Sequence, residues 1–302
     1  MLSIEDKSLV GVYVGGRPVF TKRLENSILI GVPFVGSILA VYEIVTGGIT
    51  WVEISAFLLL LLCTGVAVSL GLHRYFSHAS FKTVPVISHL LGAFGSMAFQ
   101  GSIARWVADH RRHHAHTDDT GDVHSPSIDP WGQDLPGIRG FLHAHIGWMF
   151  DNTATDMSVY GRGLMNDPII VFYTRTFWWW TFASLALPFA YGYVFGGLQI
   201  AWTTMLVAGC LRTTLIHNIV WAVNSFGHTV GEIGFEQNNT SRNNYVLAIL
   251  TFGDGWHNNH HRFPRSYRQG LLKGQVDINA RIIEFLAKRG LAWDLIDNSG
   301  IR

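Results

Sequence analysis

Two long apolar runs stand near the N-terminus, "ILIGVPFVGSILAVYEIV" (Ile28 to Val45) and "ISAFLLLLLCTGVAVSLGL" (Ile54 to Leu72). Two more lie past the midpoint, "FWWWTFASLALPFAYGYVF" (Phe177 to Phe195) and "LQIAWTTMLVAGCLRTTLI" (Leu198 to Ile216). Each approaches the roughly 20 apolar residues a helix needs to cross a bilayer. The link in the first pair, "TGGITWVE", is short, and the second pair is joined across Gly196 and Gly197, so each pair predicts a helical hairpin. Arg212 falls inside the last run and is expected to snorkel to the interface. "VPVISHLLGAFGSMAF" (Val84 to Phe99) is short for a span and reads as interfacial or re-entrant.

Between these runs the pattern turns polar. The first 27 residues are too polar for a secretory signal and read as a retained arm. His124 to Gly140 is a Pro- and Gly-rich loop. "QVDINARIIEFLAKRGLAWDLI" has apolar residues near helical spacing, predicting an amphipathic helix that serves packing. Four crossings return the chain to its starting side twice, so residues 73–168 and 217–302 share a side with the N-terminus. Lys7, Arg17, Lys22 and Arg23 precede the first span and neither hairpin link carries Lys or Arg, which places that side in the cytoplasm. The expected fold is an all-α membrane protein of one domain, residues 1–302. Four transmembrane helices in two hairpins carry a cytosolic helical cap.

Composition agrees: 48% of residues are hydrophobic and only 14% charged, against roughly a quarter charged in a soluble domain. A net charge of +1 supplies no basic field for nucleic acid. Cys63 and Cys210 both sit in apolar runs, so neither a disulfide nor a thiolate metal site is indicated.

Histidine changes the picture, with 15 copies. His-x-x-His-His occurs twice, in "DHRRHHAHTDD" (His110, His113, His114) and in "GWHNNHHRFP" (His257, His260, His261). At about 5% histidine, chance supplies that pattern roughly 0.04 times in such a length. Residues i, i+3 and i+4 share a helix face, so each block is expected to present a tripod of imidazoles in one direction. "HRYFSH" adds His73 and His78, about 140° apart on an α-helix and therefore not bound to serve one ion. "WAVNSFGH" adds His228. All nine fall on one side of the predicted membrane. One first-row ion takes at most about six ligands, so nine convergent imidazoles suit a dinuclear site; imidazole alone leaves Zn, Cu, Fe and Ni open. Asp109, Asp118, Asp119, Asp122 and Asp254 are near enough in sequence to accept the second ring N–H of a ligand, though any one of them also reads as a solvated loop acid. His89, His143, His145 and His217 read as core or interface residues, and His116 and His124 stand beside the site.

The set "HRYFSH", "GSIARWVADHRRHH", "WAVNSFGH" and "GDGWHNNHHRFP" resembles the integral-membrane fatty acyl desaturases of the stearoyl-CoA desaturase type, enzymes of lipid metabolism and fatty acid biosynthesis. The resemblance implies two iron ions on His73, His78, His110, His113, His114, His228, His257, His260 and His261, with a water held by Asn224 at one of them. It implies O2-dependent removal of two hydrogens from adjacent methylenes of a saturated acyl chain, giving a cis alkene. No catalytic residue beyond the metal centre is expected, because an unactivated C–H bond offers no acidic proton to a general base. Trp106, Trp148 and Trp221 are candidates for the wall of an apolar acyl tunnel, although tryptophan beside a bilayer is commonly an interface anchor.

Two features depart from the acyl-CoA members. After "HIGWMF" the chain reads "DNTATDMSVYGRG", acidic until Arg162, where those members carry basic residues. Acyl carrier protein, CoA and a glycerolipid are therefore all open as carriers, with Lys82, Arg105 and Arg111 the nearest cations for a phosphate. No haem-binding domain is expected at either end of this sequence, and a separate ferredoxin- or cytochrome-type donor is expected instead. An acetylenase or hydroxylase on the same scaffold is the alternative reaction. A membrane metal-binding or transport protein would place its histidines at mid-membrane, and a b-type cytochrome would pair them on facing spans.

Overall fold

The computed structural model describes residues 9–300; Lys7, and with it the start of the N-terminal arm, lies outside them. Among the described residues three helical runs are long and apolar enough to cross a membrane: Gly16–Gly47, Trp51–Ser77 and Phe177–His228. Strand β1 (Val12–Val14) leads into α1 (Gly16–Gly47), which takes in most of the polar stretch ahead of Ile28. That stretch stays helical because its polar groups find partners: Asn26 Nδ2 donates to Met149 O at 3.0 Å and Lys22 Nζ pairs with Asp151 at 2.6 Å.

Helix α2 (Trp51–Val66) starts at a capping box: Thr50 Oγ1 accepts from Val52 N, and Glu53 accepts from Thr50 N at 3.0 Å. It continues without interruption as a π-helix over Ala67–Ser77. After β2 (Lys82–Thr83) the short α3 (Pro85–Ser96) lays Leu91 against Leu72 and Gly71 in the largest buried core. Helices α4 (Ile103–His116) and α5 (Gly137–His145), strand β3 (Thr153–Thr155) and α6 (Pro168–Arg175) follow.

The third long run breaks at Gly197, whose φ of 75° and ψ of −169° suit glycine alone. Helix α7 (Phe177–Thr204) spans that break, and the chain then doubles back through a π-helical Met205–Leu211 into α8 (Arg212–Ser225). The two arms lie so close that a Cβ on Gly192 would stand 2.8 Å from Ala201 Cα. The hairpin expected across Gly196 and Gly197 is thus present, with its second arm running on past Ile216. Ala40 of α1 packs against Leu206 and Val207, locking the hairpins together. Large side chains such as Phe34, Leu59 and Trp179 point outward, more than half exposed, as a lipid-facing stem requires.

Arg212 does not snorkel. It is 0% exposed, deep between the arms, and its place in the fold is taken up below. The segment that closes the chain carries α9 (Tyr245–Leu250), α10 (His257–Arg262), the amphipathic α11 (Ile278–Lys288) and β4 (Ala292–Trp293). Pairing of β1 with β3 and of β2 with β4 ties distant segments together at the end of the stem where the histidines lie.

Candidate metal centre

Four pieces of backbone carry the nine histidines: the π-helix after α2, the last turns of α4, the 3₁₀ turn Phe226–His228 after α8, and α10. The π-helix explains the spacing of the first pair. In that helix residue i+5 donates to residue i, and the N–H of His78 donates to the carbonyl of His73 at 3.3 Å. Five residues therefore bring the rings back to nearly one direction, with centroids 5.1 Å apart, instead of the wide separation expected on an α-helix. Helix α10 is too short to hold itself. Asn258, bonded to Gly234, Phe235 and Ser241, and Asn259, bonded to Asn243 and Gln275, fasten it to its neighbours.

The structure brings the nine together as two adjoining groups that could each hold an ion: His73, His78, His110, His114 and His260 in one, His113, His228, His257 and His261 in the other. The expected tripods do not each aim one way. On an α-helix i+3 and i+4 diverge by about 100°, so α4 gives His110 and His114 to the five-histidine group and His113 to the other. Helix α10 does the reverse, giving His257 and His261 to the four-histidine group and His260 to the first. The two helices thereby bind the groups into one unit.

The ring nitrogens show what the groups fit. Nε2 meets Nε2 at 3.0 Å between His73 and His260, 2.7 Å between His78 and His110, 2.8 Å between His114 and His260, and 3.0 Å between His228 and His257. Nitrogens about 2.1 Å from a common ion and at right angles stand about 3 Å apart. On the far side of the rings Nδ1 is spoken for: His73 by Asp254 at 3.0 Å, His113 by Asp122 at 2.8 Å, His228 by Asp118 at 3.1 Å. A carboxylate takes the Nδ1 proton, so Nε2 of these three presents a lone pair inward. Lone pairs crowded at such distances repel unless a cation, or a proton on one of the two rings, lies between them. Gln269 faces His260 Nδ1 at 3.2 Å; with its carbonyl turned inward it accepts that N–H and satisfies an Oε1 that is otherwise buried without a partner.

Burial, then the neighbouring imidazoles, holds His78, His110, His114, His257, His260 and His261 well below the ordinary histidine pKa, keeping them in the neutral form that binds metal. For His113 burial acts in the same direction, but Asp122 outweighs it and raises the pKa. Burial alone would raise Asp122; the His113 charge and hydrogen bond lower it instead to about 2. Asp118 and Asp254 are also held below the usual carboxylate range against burial, by His228 and by His73 with Arg74. Of the five acids singled out from the sequence, Asp109 instead accepts from Thr155 and Asp119 accepts from the Thr120 N–H.

Two small cavities adjoin on the stem side of the histidines, the larger reaching Phe99 and Met149, and share Trp106, His110, His124, Val220 and Asn224. Trp106 stacks on His110 at 5.1 Å, and Trp148 and Trp221 line the larger cavity. The other takes in His73, His113 and His257 beside apolar Val68, Ile219 and Phe252. The opposite side is a polar hollow that reaches His114 and His261. Arg105 sits at the rim of the larger cavity, already paired with Glu25 at 2.6 Å. Arg111 donates to the carbonyls of Tyr160 and Arg162, and Lys82 pairs with Asp294 on the surface, so these two point elsewhere. His116 meets the Tyr160 hydroxyl at 2.7 Å, and His124 packs on His113 with centroids 4.2 Å apart. His89, His145 and His217 bond to Tyr173, Ser225 and the Phe99 carbonyl. His143 is part-buried on α5.

Fold and site define a helical membrane protein with paired polyhistidine groups beside cavities of partly apolar wall. Residues 50–289 match the family model described as fatty acid desaturase. The chain is 37% identical over 266 residues to a hex-5-enoyl-[acyl-carrier protein] acetylenase of Moorena producens, covering 87% of this chain and 83% of that one. It is 34% identical over 242 residues to an sn-1 stearoyl-lipid 9-desaturase of Synechocystis, with coverages of 80% and 70%. It is 35% identical over 244 residues to an acyl-CoA C20 Delta5-desaturase of Anemone leveillei, with coverages of 79% and 72%. This chain belongs to the fatty acid desaturase family, oxidoreductases that act on fatty acyl chains.

Proposed function

We propose that the desaturase works with two irons and O2 to place a cis double bond in a saturated acyl chain. The observation that carries this reading is the meeting of nine imidazoles, in groups of five and four, with two cavities of partly apolar wall. His73, His78, His110, His114 and His260 would hold one iron. His113, His228, His257 and His261 would hold the other, with a water placed by Asn224, which lies in the shared cavity wall. Bound iron supplies the redox chemistry with O2 that an unactivated methylene requires.

The chain's own residues do the rest. Asp118, Asp122 and Asp254 fix the tautomer and ring angle of His228, His113 and His73. Trp106, Trp148 and Trp221 shape the space beside His110, which holds methylenes near the centre and limits water there. Four crossings, with the break at Gly197 between the last two, put residues 73–168 and 217–302 together as a cap on the cytoplasmic side. Reduction of O2 to water takes four electrons, of which the two removed hydrogens supply two. A separate ferredoxin- or cytochrome-type donor supplies the others, and the polar hollow at His114 and His261 offers it the shorter approach.

The carrier is acyl carrier protein, CoA or a glycerolipid. Relatives named for each occur, and at the cavity rim Arg105 is already neutralised by Glu25. The deciding experiment is expression in a host of known lipid profile, with mass spectrometry of new unsaturated products and elemental analysis of the purified protein. About two irons per chain and a new alkene are expected, with His113→Ala inserted in the membrane but without product. One zinc and no iron, or equal product from His113→Ala, would overturn the reading. An alkyne or hydroxylated product would move it to the acetylenase or hydroxylase reaction on the same centre.

A further inference from the structure

Arg212 is a fully buried arginine within an apolar hairpin and, among the described residues, has no carboxylate beside it. Such a residue is expensive in a membrane and marks a position where the charge is used. Its donors are all directed at neutral oxygens. Nε donates to Ala208 O at 3.0 Å, Nη2 to Ser184 Oγ at 2.6 Å, and Nη1 to Met97 O at 3.4 Å and Thr64 Oγ1 at 3.5 Å. Ser184 Oγ in turn donates to Met97 O at 2.8 Å, so that carbonyl is held from two sides. One turn and a half along α8, buried His217 donates from Nε2 to Phe99 O at 3.1 Å, its ring stacked on Trp221 at 4.8 Å.

Both side chains therefore grip the same object, the turn that joins α3 to α4. That turn is strained: Phe99 is a bulky residue with φ of +59°, and Gly101 follows at +87°. A non-glycine residue persists there only when its surroundings over-determine it. Phe99, Gln100 and Gly101 form part of the wall of the larger cavity, across from Trp106 and His110.

We propose that Arg212 and His217 are positioning residues that set the shape of the acyl cavity. Through the carbonyls of Met97 and Phe99 they hold the turn in its strained form, and so determine which pair of methylenes lies beside the metal centre. Neither residue lines the cavity or belongs to a histidine group. The inference rests on the desaturase reading. A wild-type protein that makes no unsaturated product would defeat that reading first, independently of what the variants do.

The test uses the full-length protein in membranes and reads two quantities: the positions of the double bond in the product, and metal bound per chain. His217→Leu removes the donor to Phe99 but keeps an apolar side chain in the stem, whereas His217→Gln keeps a donor. With metal content unchanged, His217→Leu is expected to lower the ratio of the main positional isomer to its neighbours by about fivefold, the effect of losing one buried hydrogen bond. His217→Gln should restore most of that ratio. Arg212→Met should spread the isomers further, and Arg212→Lys less. If Arg212→Met does not accumulate, the His217 pair decides. An unaltered isomer ratio in His217→Leu, or activity lost only in proportion to bound metal, would show that these residues serve folding alone and overturn the proposal.

Discussion

Asp122→Asn is the sharpest probe of how the protein prepares its histidines. Asp122 is buried to 1% exposure, with Oδ1 2.8 Å from His113 Nδ1 and 3.2 Å from His124 N, and Oδ2 2.7 Å from Asp118 N. Both of its oxygens accept. Asparagine fills the same space with one acceptor and one donor, so in either orientation an N–H of the amide faces another donor. If the amide nitrogen turns toward His113, the stable arrangement puts the imidazole proton on Nε2, the atom that faces the ion. If it turns toward Asp118 N, the loop that also positions the acid for His228 is disturbed. Losing such a support lowers metal affinity or activity by about 10- to 100-fold, or about 1.4 to 2.8 kcal/mol. The assay is retention of metal against a graded chelator, alongside product formation, with Asp119→Asn as control because the Asp119 carboxylate accepts from the nearby Thr120 N–H rather than from a histidine. Asp122→Asn should lose metal at about tenfold less chelator or lower still, while Asp119→Asn tracks the wild type. Coincident chelator curves for all three proteins would refute the claim that the carboxylate sets the His113 tautomer.

Acid should destabilise the metal-free fold in the direction the histidine shifts dictate. The cluster imidazoles have folded pKa values below the unfolded value, so the unfolded chain binds more protons once pH falls below about 6.5, and stability drops with it. Asp122 loses its contribution only between about pH 4 and pH 2. The folding stability of the metal-free protein followed against pH should therefore begin to fall near 6.5; unchanged stability down to pH 4 would contradict the assignment. In a separate test, Arg74→Met removes a guanidinium that bridges Asp254 at 3.2 Å and Asp277 at 3.0 Å with no exposure of its own. Stranding those two acids should destabilise the protein by about 3 to 5 kcal/mol, seen as loss of folded protein in a thermal or denaturant assay, and wild-type stability would refute it.

Comparison of particular elements shows where local reading sufficed. Apolar runs are a local property, so the two hairpins were readable, and Gly196 and Gly197 marked the second reversal. Their ends were not: α1 starts at Gly16 because Lys22 and Asn26 bond to residues more than a hundred positions away. The same holds for Arg212, where hydropathy suggested an escape to the interface and the packed hairpin instead gave it four neutral acceptors. His73 and His78 carried a usable signal, since five residues is the hydrogen-bond spacing of a π-helix. Gln269, Asn258 and Asn259 carried none strong enough to place them.

The sequence by itself determined that this is a membrane protein with an improbable store of imidazole, because lipid-crossing length and residue chemistry need no knowledge of neighbours. Only the tertiary structure decided how those imidazoles divide, five to one group and four to the other. Helical periodicity sets the angle between His113 and His114, but which group each faces depends on the orientation of α4 against α10 and the π-helix. That orientation comes from packing across more than a hundred residues, and the same packing brings Asp118 to His228 and Asp254 to His73, whereas Asp122 reaches His113 from within the same stretch of chain.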